Sequence, residues 1–329
     1  MRLVSFGVAS GHEMASGRTC THVIVPALPR ARTRTSVGGM ASETEREIGS
    51  QPGAWRRAAA LASEVQGLPA PRERVAVIGC GTSWFMAQAY ASAREEAGLG
   101  ETDAFTATEF PTTRRYDRIV AISRSGTTTE VVRLLDETDT PATAITAVAG
   151  TPVATAAAHA IVLGFADERS VVQTRFATSA LAMLRAHVGH DIEGASRDAE
   201  TALAGALPDD LTAFEHIVFL GHGWTVGVSS EAALKLREAA QVHTESYPAM
   251  EYRHGPIAVA GSSSLVWILG SADAGVAGDV RATGATVRIA QLDPMAELVL
   301  VHRLALTLAA LRGLDPDHPR HLTRSVVLA

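Results

Sequence analysis

Cysteine is nearly missing from this chain of 329 residues: there are two, Cys20 and Cys80, far apart and in unlike surroundings. A disulfide framework is therefore not expected, and a reducing compartment, the cytoplasm, is the natural setting. Lysine is scarcer still, since Lys235 is the single one and every other basic side chain is arginine. Hydrophobic residues make up 47%, rich in alanine and valine. Yet no run reaches the ~18 apolar residues of a membrane-spanning helix, so no membrane association is expected. A strong charge of one sign is lacking too, with 29 basic against 35 acidic residues and a net charge of -6. No arginine pair grows into the basic footprint of a nucleic-acid binder. Metal-ligand spacing is also absent: His216, His222, His243 and His254 are scattered, with no His-x-x-x-His or Cys-x-x-Cys, and no metal site is expected.

Residues 1–40 differ from the rest, mixing Gly, Thr, Arg and Pro without helical or strand period. Their apolar start faintly resembles a secretion signal, but His12 and Glu13 interrupt it. Two readings compete: a disordered or loosely packed extension, or a start codon taken too early with Met40 as the true one. The second is preferred here.

From Ser42 to Val65 the apolar stripe of Ile48, Trp55, Ala59 and Ala62 predicts a helix interrupted at Pro52. Arg74–Ile78 is a nearly all-apolar strand, the pattern of a sheet covered on both faces. Further strands are predicted at Ala104–Thr108, Arg118–Ile122, Thr143–Val148 and Ala160–Leu163, and a long helix at Val171–Val188. A second cycle runs through helix Ala195–Leu207, strand Ile217–Leu220, helix Trp224–Ala240, strands Leu265–Leu269 and Val287–Ile289, and a closing helix Met295–Leu311. The block VAVIGCGTSW thus has a partner in IVFLGHGWTV. This repetition predicts two similar α/β domains, residues 41–192 and 193–329, each a parallel sheet with helices on both faces.

Neither Gly-x-Gly turn completes a dinucleotide fingerprint. Trp84 stands where the third glycine belongs, and no Gly-x-x-x-x-Gly-Lys-Ser/Thr occurs, so no nucleotide cofactor is expected. The segment Ser123–Glu130 is more specific. A buried strand ends at Ile122, and five hydroxyls in seven residues around Gly126 then lead into a helix. Free N–H groups at that helix start, its dipole, and hydroxyls of Ser123, Ser125 and Thr128 can hold a phosphate ester without a metal. Helix capping alone is the simpler reading, but it needs fewer hydroxyls. Thr82 and Ser83, on the neighbouring turn, are candidates for the sugar hydroxyls or the same phosphate.

Glu231, Lys235 and Glu238 fall at spacings of four and three, on one helical face. Such a pattern is usually a surface ion-pair ladder. Here the surrounding sequence is small and apolar, and the chain's single lysine sits in the middle. A carboxylate tuned upward by burial can act as a general base.

With these segments together, the chain resembles the sugar isomerase (SIS) family, and within it the isomerase half of glutamine–fructose-6-phosphate aminotransferase. The resemblance rests on Cys80-Gly-Thr-Ser83, Ser123-Arg-Ser-Gly-Thr-Thr128, Glu231-Ala-Ala-Leu-Lys235-Leu-Arg-Glu238, His254-Gly-Pro256 and the tail Pro319–Val326, in that order. It implies two SIS domains and a homodimer whose sites form between subunits. It also implies Glu238 as the base, Lys235 and Glu231 as its support, and His254 of the partner subunit as the ring-opening acid–base group. Three departures bear on the chemistry. No room ahead of Met40 is seen for a glutaminase domain, so ammonia would need a separate source. Arg324 stands where the family has an imine-forming lysine, and arginine is a poor amine nucleophile. Arg124 replaces a glutamine and is expected to add positive charge beside the phosphate. The resulting expectation is an amino-sugar-6-phosphate deaminase or aldose–ketose isomerase. The alternatives are an ammonia-using aminotransferase-like enzyme, a deglycase of glycated amine phosphates, or a sugar-phosphate sensor.

Overall fold

The computed structural model describes residues 41–271 and 274–328, so the readings of residues 1–40 and of Cys20 lie outside the described residues. The described chain opens with two short helices, α1 (Glu43–Gly49) and α2 (Gln51–Leu61). The break expected at Pro52 falls at Ser50 instead. Pro52 sits in the first turn of α2, where its missing N–H removes no helical bond. Next come β1 (Val75–Gly79), α3 (Thr82–Glu96), β2 (Thr102–Thr106), β3 (Arg118–Ile122), α4 (Thr129–Glu137), β4 (Ala142–Thr146), α5 (Pro152–Ala156), β5 (His159–Val162) and α6 (Arg175–His187). The second half runs α7 (Ile192–Ala204), β6 (His216–Gly221), α8 (Thr225–Ala240), β7 (Thr244–Pro248), β8 (Ser264–Leu269), α9 (Ala274–Ala282), β9 (Thr286–Ile289) and α10 (Pro294–Leu311).

The strands form two wholly parallel sheets, ordered β2-β1-β3-β4-β5 and β7-β6-β8-β9. In each, the first strand lies second from the edge. The chain steps outward once and then crosses back. In open sheets of this kind ligands bind beyond the carboxyl ends of the strands, where the order reverses. That point lies beside β1 in one sheet and beside β6 in the other.

Alternation along the strands sorts side chains into layers. Val75 and Val77 of β1, and Ile217 and Phe219 of β6, join one large core that also takes in Trp55, Tyr90, Leu181, Leu236 and Leu304. The alternate residues Ala76 and Ile78 face α4 through Val131, Leu134 and Leu135. Val218 and Leu220 likewise face α9 through Val276 and Val280. Helices therefore cover both faces of each sheet, as the unbroken apolar strands required.

The helix α10 is long and apolar enough to cross a membrane by length and composition, with a hydropathy of 1.5 over 18 residues. In this fold 67% of that window is buried, with Leu298, Val301 and Leu304 inside the shared core.

Candidate active site

The site begins where two helices touch. Gly227 of α8 packs on α3 so closely that a Cβ there would lie 2.4 Å from the Phe85 carbonyl oxygen and 2.7 Å from the Ala89 nitrogen. Only glycine fits this contact. It sets the acid–base face of α8 against the start of α3, which follows the switch-point strand β1.

Lys235 is the centre of the resulting group. Its Nζ donates to Thr82 Oγ1 at 3.0 Å and to Glu238 Oε2 at 2.5 Å, and pairs with Glu231 Oε1 at 3.3 Å. Thr82 in turn donates to Glu231 Oε1 at 3.3 Å. Lys235 and Glu231 are each only 1% exposed, whereas Glu238 is 19% exposed and faces a cleft. Burial pushes the Glu231 carboxyl up to about 7, with the Lys235 ammonium pulling against the rise and Glu238 adding to it. For Lys235, burial alone would lower the ammonium, but the two carboxylates outweigh it and hold it above its ordinary value. Behind Lys235, burial and that same ammonium push His302 down to about 3, which leaves a neutral ring facing Gln51 Nε2 at 3.3 Å.

The cleft, about 180 Å³, lies beyond the ends of β1 and β3. Its walls come from Cys80–Thr82, Arg124, Thr128, Val171, Gln173, Glu238 and the tail Leu322–Val326. The phosphate-type loop turns at Gly126, whose φ of 66° and contact with Thr151 leave no space for a side chain. Ser123 Oγ accepts from Gly126 N at 3.2 Å and lies 3.4 Å from Thr128 Oγ1. Ser125 and Thr127 donate to Ser325 of the tail at 3.0 and 2.9 Å. The Val326 carbonyl accepts from Thr129 N at 3.3 Å. The tail thus lies on the loop and supplies a further hydroxyl.

Arg124, expected to add positive charge beside the phosphate, lines the cleft and is held by groups of this chain. It is 3% exposed and donates to the carbonyls of Ser170, Val171 and Arg324 at 2.9, 3.0 and 3.1 Å, with Glu168 Oε2 at 3.7 Å. Three carbonyls and a carboxylate hold the guanidinium more firmly than a short surface turn could. Arg324 forks onto Asp167 and the Glu168 carbonyl. Ser83 is buried in the first turn of α3 and does not line the cleft. His254 is exposed at the end of the turn Glu251–His254, and it too does not line the cleft.

Sequence reasoning missed the loop that precedes α6. Residues 171–174 were read as helix, but Glu168 Oε1 accepts from Thr174 N, Thr174 Oγ1 and Arg175 N at 2.6, 2.8 and 2.6 Å. This carboxylate starts the helix at Arg175. An acidic residue seven positions ahead of a helix start carries no local signal. Among the described residues no group of three or more His, Cys, Asp or Glu side chains is placed to hold a metal ion.

Two parallel sheets in tandem, with a hydroxyl-rich loop at one switch point and the Glu231, Lys235 and Glu238 face of α8 from the other repeat, are the features to set beside known proteins. The SIS domain profile matches residues 70–188. Within that stretch the chain carries the likeness to a SIS domain, and more widely it resembles glutamine–fructose-6-phosphate aminotransferase. It is 28% identical over 323 residues to that enzyme from Gloeobacter violaceus, covering 78% of this chain and 52% of the relative. The chain therefore spans about half the length of that relative. Among solved structures, glucosamine-6-phosphate deaminase from Thermotoga maritima superposes with a TM-score of 0.75 at 24% identity, covering 87% of this chain and 100% of that one. Tagatose-6-phosphate ketose/aldose isomerase from Escherichia coli gives 0.74 at 20% identity, with 88% and 96% covered. At these identities the structural likeness shows the fold.

Proposed function

We propose that this protein is a cytoplasmic amino-sugar-6-phosphate deaminase or isomerase that works by carboxylate-mediated proton transfer. The observation that carries the reading is the state of Lys235. Its three N–H bonds are directed at Thr82, Glu231 and Glu238, and the carboxylates keep it protonated. A buried, fully engaged ammonium is a poor imine former, and Arg324 offers no amine either. Aminotransfer through a protein imine is thereby disfavoured, and chemistry that only moves protons is favoured.

In this reading the loop Ser123–Thr128 holds the phosphate, and Glu238 reaches the carbons at the other end of the open-chain sugar. Glu238 takes the C2 proton and returns it to C1, while a proton passes from the C2 substituent to O1. When that substituent is hydroxyl the product is the ketose. When it is an amine the product is a ketimine, which water hydrolyses to the ketose and ammonia. Lys235 fixes the Glu238 carboxylate throughout. The exposure of His254 supports a homodimer in which the partner subunit's His254 opens the sugar ring. The engagement of Arg124 and Arg324 by groups of this chain removes the main support for a deglycase that recognises an extra carboxylate.

Purified protein incubated with glucosamine 6-phosphate is expected to release ammonia and fructose 6-phosphate together. Silence there, with turnover of an aldose or ketose phosphate, would assign plain isomerisation. Silence across both, with sugar-phosphate binding retained, would make the protein a sensor and overturn the enzymatic reading.

A further inference from the structure

The loop 167–174 is pinned from several sides. Glu47 accepts from the amides of Arg169 and Ser170 and from Ser170 Oγ, at 2.5, 3.4 and 2.5 Å. Glu168 holds the far end at Thr174 and Arg175. Arg124 takes the carbonyls of Ser170 and Val171. A segment fixed in this way is a rigid mount for any side chain it aims into the cleft.

That side chain is Gln173. Among the described residues lining the cleft, the other hydroxyl, guanidinium and carboxylate side chains each have a partner in the chain: Thr82, Arg124, Thr128, Glu238, Thr323, Arg324 and Ser325. The Gln173 amide oxygen is buried and has none. A buried carbonyl without a donor is costly unless something supplies one. Nothing in the loop's own architecture uses this amide. The two guanidinium groups on the same wall are held by groups of this chain and offer Gln173 no bond, although Arg124 Nε is itself buried without a partner.

We infer that Gln173 is a substrate-binding residue that reads a hydroxyl or ammonium donor on the sugar carbons, and so determines which polyol phosphate the site accepts. This rests on the phosphosugar reading above and sharpens it. The phosphate loop selects the ester, while Gln173 selects the pattern of donors along the chain. A site built around such a bond discriminates against ligands that lack it much more strongly than an apolar wall does.

The test is calorimetric binding of two probes, glucitol 6-phosphate and inorganic phosphate, to the full chain and to Gln173→Leu and Gln173→Ala. Each substitution is expected to weaken glucitol 6-phosphate by roughly tenfold or more, and to leave inorganic phosphate unchanged. Undiminished glucitol 6-phosphate binding in either folded variant overturns the inference. So does an equal loss for both probes, which would make Gln173 a support of the phosphate loop. If the unmodified chain binds no glucitol 6-phosphate at all, the phosphosugar reading itself fails. That outcome is distinct from either of the others.

Discussion

Thr82 Oγ1 lies 3.0 Å from Lys235 Nζ and 3.3 Å from Glu231 Oε1, so one hydroxyl of the first repeat joins an ammonium and a carboxylate of the second. Thr82 was read in the sequence as a ligand for substrate. It lines the cleft and also bonds Lys235 and Glu231, which predicts a positioning role toward Glu238 as well. Thr82→Val keeps the volume and removes the bond. It should cost about 1.5–3 kcal/mol of stability, as for a hydrogen bond to a charged group. The loss should appear in kcat more than in KM, because Glu238 is displaced and the phosphate loop is not. Steady-state kinetics with urea unfolding would check both; a pure KM effect would contradict the assignment.

Glu238 is the carboxylate of the group that faces the cleft. Glu238→Gln is expected to lower kcat by roughly 100- to 10,000-fold, the range of general acid–base catalysis. Binding of glucitol 6-phosphate should persist, since the phosphate loop is untouched. A variant that retains most of its turnover would remove Glu238 from the role of base.

Lys235 is the single side-chain amine of the chain. Borohydride reduction in the presence of fructose 6-phosphate should leave its peptide unmodified, because the amine is protonated and enclosed. Mass spectrometry reads this directly. A sugar adduct on that peptide would establish imine chemistry and reopen the aminotransferase reading.

Much of this arrangement was legible beforehand, and the reasons are physical. The strands β1, β3, β6 and β8 are continuous apolar runs because both faces are covered. The face of α8 was legible because Glu231, Lys235 and Glu238 are set by helical spacing alone. The edge strand β7 was missed, since Thr-Glu-Ser-Tyr-Pro is mostly half-buried and has no apolar run. β2 was expected two residues too late, its pairing with β1 being set by register and not by composition. Arg124 and Gln173 were beyond reach for another reason. Arg124 is held by Glu168 and the Arg324 carbonyl, which only the folded chain brings near, and Gln173 lies on the loop that Glu168 ties down at Thr174.

The contact at Gly227 leads to a third kind of test. Gly227→Ala drives a methyl group into the Phe85 carbonyl and the Ala89 amide of α3. Backbone on both sides cannot yield cheaply, so the helices must separate. A loss of about 1–3 kcal/mol is expected from overpacking, accompanied by a drop in kcat as Thr82 moves away from Lys235. Chemical denaturation and activity should fall together. Lost stability with unchanged kcat would show that the spacing of α3 and α8 does not govern the site.

The raised carboxyl of Glu231 makes a pH prediction. Its proton is bound more tightly in the folded state than in the unfolded one. Its contribution to stability is therefore complete below its ordinary value of 4.5 and is lost as pH rises through about 7. Glu231→Gln mimics the protonated form at every pH. The unmodified protein should thus lose stability relative to Glu231→Gln between pH 4.5 and about 7. Urea titrations of both proteins across that range would show it; a constant difference would mean that Glu231 does not take up its proton there.

The seam between α3 and α8 also bears on how such a chain can be divided. On the function proposed above, either repeat alone would carry one part of the site, the hydroxyl loop or the Lys235–Glu238 pair, and neither is expected to turn over a sugar by itself. The connection between His187 and Ile192, which ends one repeat and begins the next, is therefore a place to cut the gene in two. Fused to two interacting partners, the fragments would form a reporter that is silent until they meet, with its signal the product itself.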